Sequence, residues 1–398
     1  MGSTLLNTTA IHAGSMFDGF TRSGPATVHV RGDRIIRVDR TGALPTDGTP
    51  VVDLGPRTCL LPGLIDSHTH LAFDASPDPV TSLAATGDAD LLAQMRAAAQ
   101  AALRAGITTV RDLGDRDYLS LTLVEEFARA PENGPEILAA GPPLTTPGGH
   151  CHFFGGEAEG TEALRAAVRE RHARGCAVIK IMASGGNMTP GSVPPHASQY
   201  GPQDLRAVVD EAHRLGLPVA AHAHGVQAIK DALDAGVDSL EHVTFLGADG
   251  ATYDPALAAA IVAGGTFASL TLGMAPGAAF NPPPALAAHV QTILNTFGNL
   301  HAAGANVVIG SDAGIGPDKP HDVLPHGVGA LVRLGVAPAD ALISVTSLAA
   351  RLCGVEGRKG RITAGADADL LAVDGDPVKD PAALLDVRAV FRAGIRVR

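Results

Sequence analysis

The sequence predicts an α/β chain: a (β/α)8 TIM-type barrel with a small β-sandwich domain formed from both chain ends. Three observations carry that expectation. A helix–Gly–strand unit recurs through the middle of the chain, the strands in those units are apolar on both faces, and the two ends alternate instead. Of the 398 residues, 45% are hydrophobic and 18% charged, enough to bury a large core and too apolar for disorder.

Residues 26–38 (ATVHVRGDRIIRV) alternate around a Gly-Asp turn and read as a hairpin. The repeat then begins. AALRAG ends at 106 before ITTVRD, RHARG at 175 before CAVIKIM, and EAHRLG at 216 before LPVAAHAH. ALDAG ends at 236 before VDSLEH, AAIVAG at 264 before GTFASL, and HAAG at 304 before ANVVIGSD. A glycine just past a helix supplies the left-handed position without a Cβ clash. A following run that is apolar on both faces is what a parallel strand covered on both sides requires. Eight strands are expected, at 64–70, 108–114, 136–142, 178–184, 218–224, 239–244, 266–272 and 306–312. Eight βα units over about 250 residues suit a closed barrel. A doubly wound open sheet is disfavoured, because no glycine-rich phosphate loop follows the first strand. Residues 366–374 and 387–398 are again strand-like and too short to fold alone. The expected division is 1–61 plus 360–398 for the sandwich and 62–359 for the barrel.

Lys plus Arg number 30 and Asp plus Glu 41, a net charge of −11. That sign argues against nucleic acid, whose phosphates need a basic surface. Aromatic residues are 4% of the chain and Trp is absent, so few stacking platforms exist. No apolar run approaches the ~20 residues that span a bilayer. The opening residues lack the basic patch and apolar stretch of a signal peptide. Cys59, Cys151, Cys176 and Cys353 are scattered, which suggests reduced thiols. A cytoplasmic protein acting on a small molecule is expected, with neither nucleic acid nor membrane as partner. Apolar outer helices leave room for a homo-oligomer.

In a barrel, residues at the carboxyl ends of strands face the active site. The first strand ends in His68-Thr69-His70, and side chains two apart share a face. The fourth carries Lys180, the fifth His222 and His224, the sixth His242, and the eighth ends at Asp312. Each alone has an ordinary reading: a buried hydrogen-bonded histidine, or a helix-capping aspartate. Together, donors from five strands aimed at one place have the composition of a divalent transition-metal site. Lys180 sits among Val, Ile and Met, where burial disfavours the ammonium. A free amine there can form a Schiff base or add carbon dioxide to give a carbamate. The surrounding histidines favour the carbamate; a lysine snorkelling to the barrel mouth is the structural alternative.

The runs PGLIDSHTHL (62–71), GITTVRDLG (106–114), VIKIMASGG (178–186), AHAHG (221–225), SLEHVT (239–244) and GSDAG (310–314) follow one another in the order of a known family. With the closing GRITAGADADLLAVDGDP (360–377), they resemble the amidohydrolase superfamily over nearly the whole chain. The nearest resemblance is to its imidazolonepropionase-like subgroup, which includes prolidase-like (Xaa-Pro) dipeptidases and an ochratoxin-hydrolysing amidase. The resemblance implies a binuclear centre. His68, His70 and Asp312 would hold the more buried ion and His222 and His242 the more exposed one. Carboxylated Lys180 and a hydroxide would bridge the two. Zinc suits these ligands, as do manganese, cobalt or iron. Imidazolonepropionase itself has one metal and no lysine on the fourth strand, so Lys180 argues against that activity.

The implied reaction is hydrolysis of an amide, with Asp312 as base and then acid, and His224 or His150 stabilising charge on the carbonyl oxygen. His150, in GGHCHFFGG, and His224 would also contact substrate. Tyr200 is similar in position to a tyrosine that meets a substrate carboxylate, though packing on the barrel rim is an equal reading. Cys151 is expected only to pack its loop. Substrates would be Xaa-Pro dipeptides or N-acyl amino acids, the alternative being a carbamate, urea, lactone or organophosphate on the same site. Loops 184–201, 273–284 and 313–327, rich in Gly and Pro, are expected to shape or cover the pocket. A Schiff-base lyase using Lys180 and a non-enzymatic barrel are the remaining classes; the full donor set disfavours the latter.

Overall fold

The computed structural model describes residues 8–277, 282 and 284–398. Eight parallel strands alternate with helices: β1 (Leu64–Thr69), β2 (Ile107–Asp112), β3 (Glu136–Ala139), β4 (Ile179–Met182), β5 (Val219–Gly225), β6 (Ser239–Gly247), β7 (Phe267–Thr271) and β8 (Asn306–Gly310). They lie in chain order, three in one sheet and five in the other. Two parallel bridges span the seams. Leu144, just beyond β3, pairs with Ile181 of β4, and Thr69 at the end of β1 pairs with Ala313 just beyond β8. At the second seam the Asp312 amide donates to the His68 carbonyl at 2.7 Å and the His70 amide to that of Ala313 at 3.1 Å.

The helix–Gly–strand reading explains the local structure. Gly175 and Gly236 end helices Thr161–Arg174 and Val226–Ala235 at φ of +92° and +88°, where any Cβ would be strained. The strands that follow are buried along their length. The third strand, expected over 136–142, stops at Ala139. Gly141 turns left-handed at φ +67°, and Pro142 and Pro143 cannot donate to a ladder.

The chain ends form two antiparallel-rich sheets. One runs Arg34–Asp39, Ala26–Arg31, Thr8–Ala13, Val51–Asp53; the hairpin around Gly32-Asp33 is its first pair. The other places Thr58–Pro62 between Leu370–Asp374 and Ser15–Phe17, so early and late segments interleave. Ile11, Met16, Val28, Ile35, Leu370 and Phe391 pack into one buried cluster drawn from both sheets. Glu136 of β3 meets Arg358 and Lys359, which also pair with Asp367, tying this layer to the amino-terminal end of the parallel strands. No helix among the described residues is long and apolar enough to cross a membrane. All four cysteines are unpaired.

Candidate metal centre

The carboxyl ends of the parallel strands bring the expected donors together. His68 Nε2 lies 3.3 Å from His70 Nε2 and 3.5 Å from Asp312 Oδ1, and His70 Nε2 lies 3.4 Å from the same oxygen. Ligands about 2.1 Å from a tetrahedral metal stand about 3.4 Å apart. Three buried donors at nearly equal spacing therefore fit a zinc-sized ion. Asp312 reaches this position at φ +54°, a left-handed backbone that only strong surrounding constraints keep in a non-glycine residue.

A second group lies beside the first. His222 and His224 of β5 and His242 of β6 each offer a ring nitrogen within 4.8 Å of the others, and all are buried. The His224 and His242 rings stack at 4.5 Å, and His242 stands 5.1 Å from the His68 ring, joining the groups. His222 Nε2–H donates to the Gly185 carbonyl at 3.0 Å. His224 Nδ1 meets Thr244 Oγ1 at 2.9 Å and His242 Nδ1 meets Thr271 Oγ1 at 3.1 Å. One ring nitrogen of each is thus occupied and the other is left for a ligand. His222 is anchored through Nε2 and the other two through Nδ1.

Lys180 of β4 is 1% exposed, and its Nζ has no hydrogen-bond partner. Burial pulls its pKa down to about 8, against the pull of Glu241 and Asp312. Burial, then the charge of Lys180, lowers His68 to about 4; burial lowers His224 to about 4 and His150 to about 3. His222 and His242 are also held well below the usual imidazole range, first by burial and then by His242 and His224 respectively. These rings are neutral at pH 7, the form that binds a cation. Burial alone would raise Asp312, but His68, His70 and Lys319 outweigh it and hold the carboxylate well below its usual range.

A cavity of about 1220 Å³ opens over these groups, lined by both triads, Lys180, His150 and Cys151. All three Gly- and Pro-rich loops contribute to it, through Met188, Met274 and Lys319 among others. Of loop 273–284, residues 278–281 and 283 lie outside the described residues. The His150 ring stands 4.7 Å from that of His222, and its Nδ1 is 3.2 Å from the Thr189 hydroxyl, which accepts the Cys151 amide at 2.8 Å. The Cys151 thiol is pushed up to about 12 by burial, so it offers no thiolate.

Tyr200 departs from its expected substrate contact. Its ring is buried in the main core, its hydroxyl donates to the Ala158 carbonyl at 2.8 Å, and it does not line the cavity. This is the packing placement. Lys319 went unread in the sequence and lines the cavity, its Nζ donating to the carbonyls of Ser311 at 2.9 Å and Thr271 at 3.3 Å.

The amidohydrolase family profile matches residues 59–397. The chain belongs to the amidohydrolase family. Its relatives include ochratoxinase of Aspergillus niger, 29% identical over 365 residues, covering 83% of this chain and 73% of that one. Among solved structures, a Xaa-Pro dipeptidase with methionine bound in its active site superposes with a TM-score of 0.85 at 27% identity, covering 98% of this chain and 99% of the other. A prolidase complexed with N-methylphosphonate-L-proline gives 0.85 at 28% identity over 98% and 100%. This amidohydrolase is therefore a hydrolase of small molecules, and its buried histidine and aspartate groups are candidate metal-binding groups.

Proposed function

We propose that this amidohydrolase is a binuclear metal-dependent enzyme that cleaves an amide bond beside a terminal carboxylate, in an Xaa-Pro dipeptide or an N-acyl amino acid. The observation that carries the reading is the convergence of two donor triads and one buried, unpartnered amine on a single cavity. The bridged seams support one closed (β/α)8 barrel over 62–359, and the shared cluster of the end sheets supports a β-sandwich of 1–61 plus 360–398. Four unpaired thiols suit a cytoplasmic setting.

His68, His70 and Asp312 would hold one divalent ion and His222 and His242 the other, with zinc the first choice and manganese, cobalt or iron also suited. When bound, such a pair lowers the pKa of water to about 7 and polarises a carbonyl. The neutral Lys180 amine adds carbon dioxide and releases one proton, and the resulting carbamate presents two oxygens where the lone Nζ now stands. That anion would replace a basic nitrogen buried without a partner by a group whose charge the bound cations offset. Asp312, ionised throughout the working range, takes the proton of the attacking water and gives it to the leaving nitrogen. His224 and His150 donate N–H groups toward the carbonyl oxygen as charge builds there.

The test is a panel of Xaa-Pro dipeptides and N-acyl amino acids assayed with zinc, manganese or cobalt in bicarbonate. Turnover of these is expected. Inactivity toward all of them alongside cleavage of ureas, carbamates, lactones or organophosphates would reassign the substrate. Metal content reads the choice of ligand: His222→Asn should lose one equivalent of metal and His224→Asn should keep both.

A further inference from the structure

Beneath the candidate ligands lies a buried charged network. Glu241 is fully buried and Arg111 is 1% exposed. Glu241 Oε1 accepts from Arg111 Nη2 at 2.8 Å and from Ser239 Oγ at 2.6 Å, and Oε2 accepts from His68 Nδ1–H at 2.8 Å. Arg111 Nε donates to the Ser67 carbonyl at 2.6 Å, and Nη1 to Ser239 Oγ at 3.3 Å. An ion pair this deep gains little over apolar packing. The side-chain hydrogen bonds of the pair reach only β1, β2 and β6, and one of the partners is His68 itself.

We propose that Glu241, oriented by Arg111, is a positioning residue that fixes the His68 tautomer and so presets the more buried ion site. An ionised carboxylate can only accept. It therefore compels His68 to carry its proton on Nδ1 and to turn the Nε2 lone pair toward His70 and Asp312. Without this partner the ring could protonate Nε2 and close the site to a cation. The inference rests on the metal-centre reading, since His68 must be a ligand for its tautomer to matter. An imidazole's partner on the nitrogen away from the metal typically contributes 10–100-fold to metal affinity.

Glu241→Gln tests it with almost no change in volume. Arg111 donates to the Gln oxygen, which points the amide N–H at His68 Nδ1 and favours the unwanted tautomer. Purified protein is stripped with chelator, checked by thermal unfolding, and titrated with zinc against a chromophoric chelator. The expected result is a 10–100-fold weaker first equivalent, a second site near wild type, and an altered cobalt(II) absorption band. Glu241→Asp should restore part of the affinity. If Glu241→Gln does not fold, Arg111→Gln/Glu241→Gln removes both charges together, and the same loss is expected. Wild-type affinity in either folded variant overturns the proposal while leaving the metal centre intact. A wild-type protein that binds no divalent ion overturns the metal-centre reading, and this proposal with it.

Discussion

Gly310, the last residue of β8, faces the first strand at a point where there is no room for a side chain. A Cβ built there would lie 2.3 Å from the His68 Cβ and 3.0 Å from its amide nitrogen. Ordinary contact begins at 3.4 Å, so Gly310→Ala must open the seam by about 1.1 Å. The Asp312–His68 and His70–Ala313 hydrogen bonds hold that seam closed. Overpacking of this kind costs about 1–3 kcal/mol. The effect on metal should be larger in kind, because His68 would move several times the ~0.2 Å tolerance of a metal–ligand distance. At least tenfold weaker zinc binding is expected, about 1.4 kcal/mol. Chelator competition reads the metal, and calorimetry of the metal-free protein reads the fold. Gly24→Ala is the control: nothing lies within 4 Å of its Cβ and its φ is not positive, so it should stay within about 0.5 kcal/mol of wild type. A Gly310→Ala protein with unchanged zinc affinity and melting temperature would refute the reasoning.

Asp312→Asn should keep part of the metal but lose most turnover, and near-normal turnover would remove Asp312 from proton transfer. Burial works to raise Glu136, yet the hydrogen bond from Arg358 and the charges of Lys359 and Arg358 bring it down to about 2 from 4.5. A folded pKa below the unfolded one stabilises above pH 4.5, and that contribution disappears as pH falls toward 2, at most about 3 kcal/mol. Urea midpoints should show Glu136→Gln clearly weaker at pH 7, with the gap narrowing below pH 4.5 and closing toward pH 2; a constant difference contradicts this. His68, His224 and His150 add a loss of the same sign at higher pH, with folded pKa values of about 4, 4 and 3 against 6.5 unfolded. The unfolded chain then binds more protons, so metal-free protein should lose stability as pH drops from about 6.5 to 4. A flat urea midpoint between pH 6.5 and 5 would refute it.

Six of the eight parallel strands were legible because each follows a glycine-ended helix and is apolar on both faces; β1 and β3 lack that lead-in. Strand ends were less so: the ladder of β3 fails at Gly141 and the two prolines. The end sheets showed their hairpin and their late strands, within 366–374 and 387–398, but not Val51–Asp53 or Ser15–Phe17, which at three residues each are too short to display a period. Within the site, HxH on β1 and β5 was readable from alternation. Glu241 was not. Alternation puts it on the face opposite His242, yet both are buried within the site. His242 and Val243 adopt φ of +72° and +49°, and that left-handed break lets adjacent residues face the same way. Tyr200 shows the converse, a suggestive position in a loop that the core absorbs.

The interleaved terminal sheet sets a timing problem for synthesis. Thr58 shares a hydrogen bond with Asp374, 316 residues further on. A ribosome adding 5–20 residues per second needs roughly 15–60 s to reach the later partner. Until then Thr58–Pro62 (TCLLP) waits with an unpaired edge and an apolar face, immediately before β1. Nascent chains stalled before residue 370 should therefore clump or recruit chaperones far more than the released product.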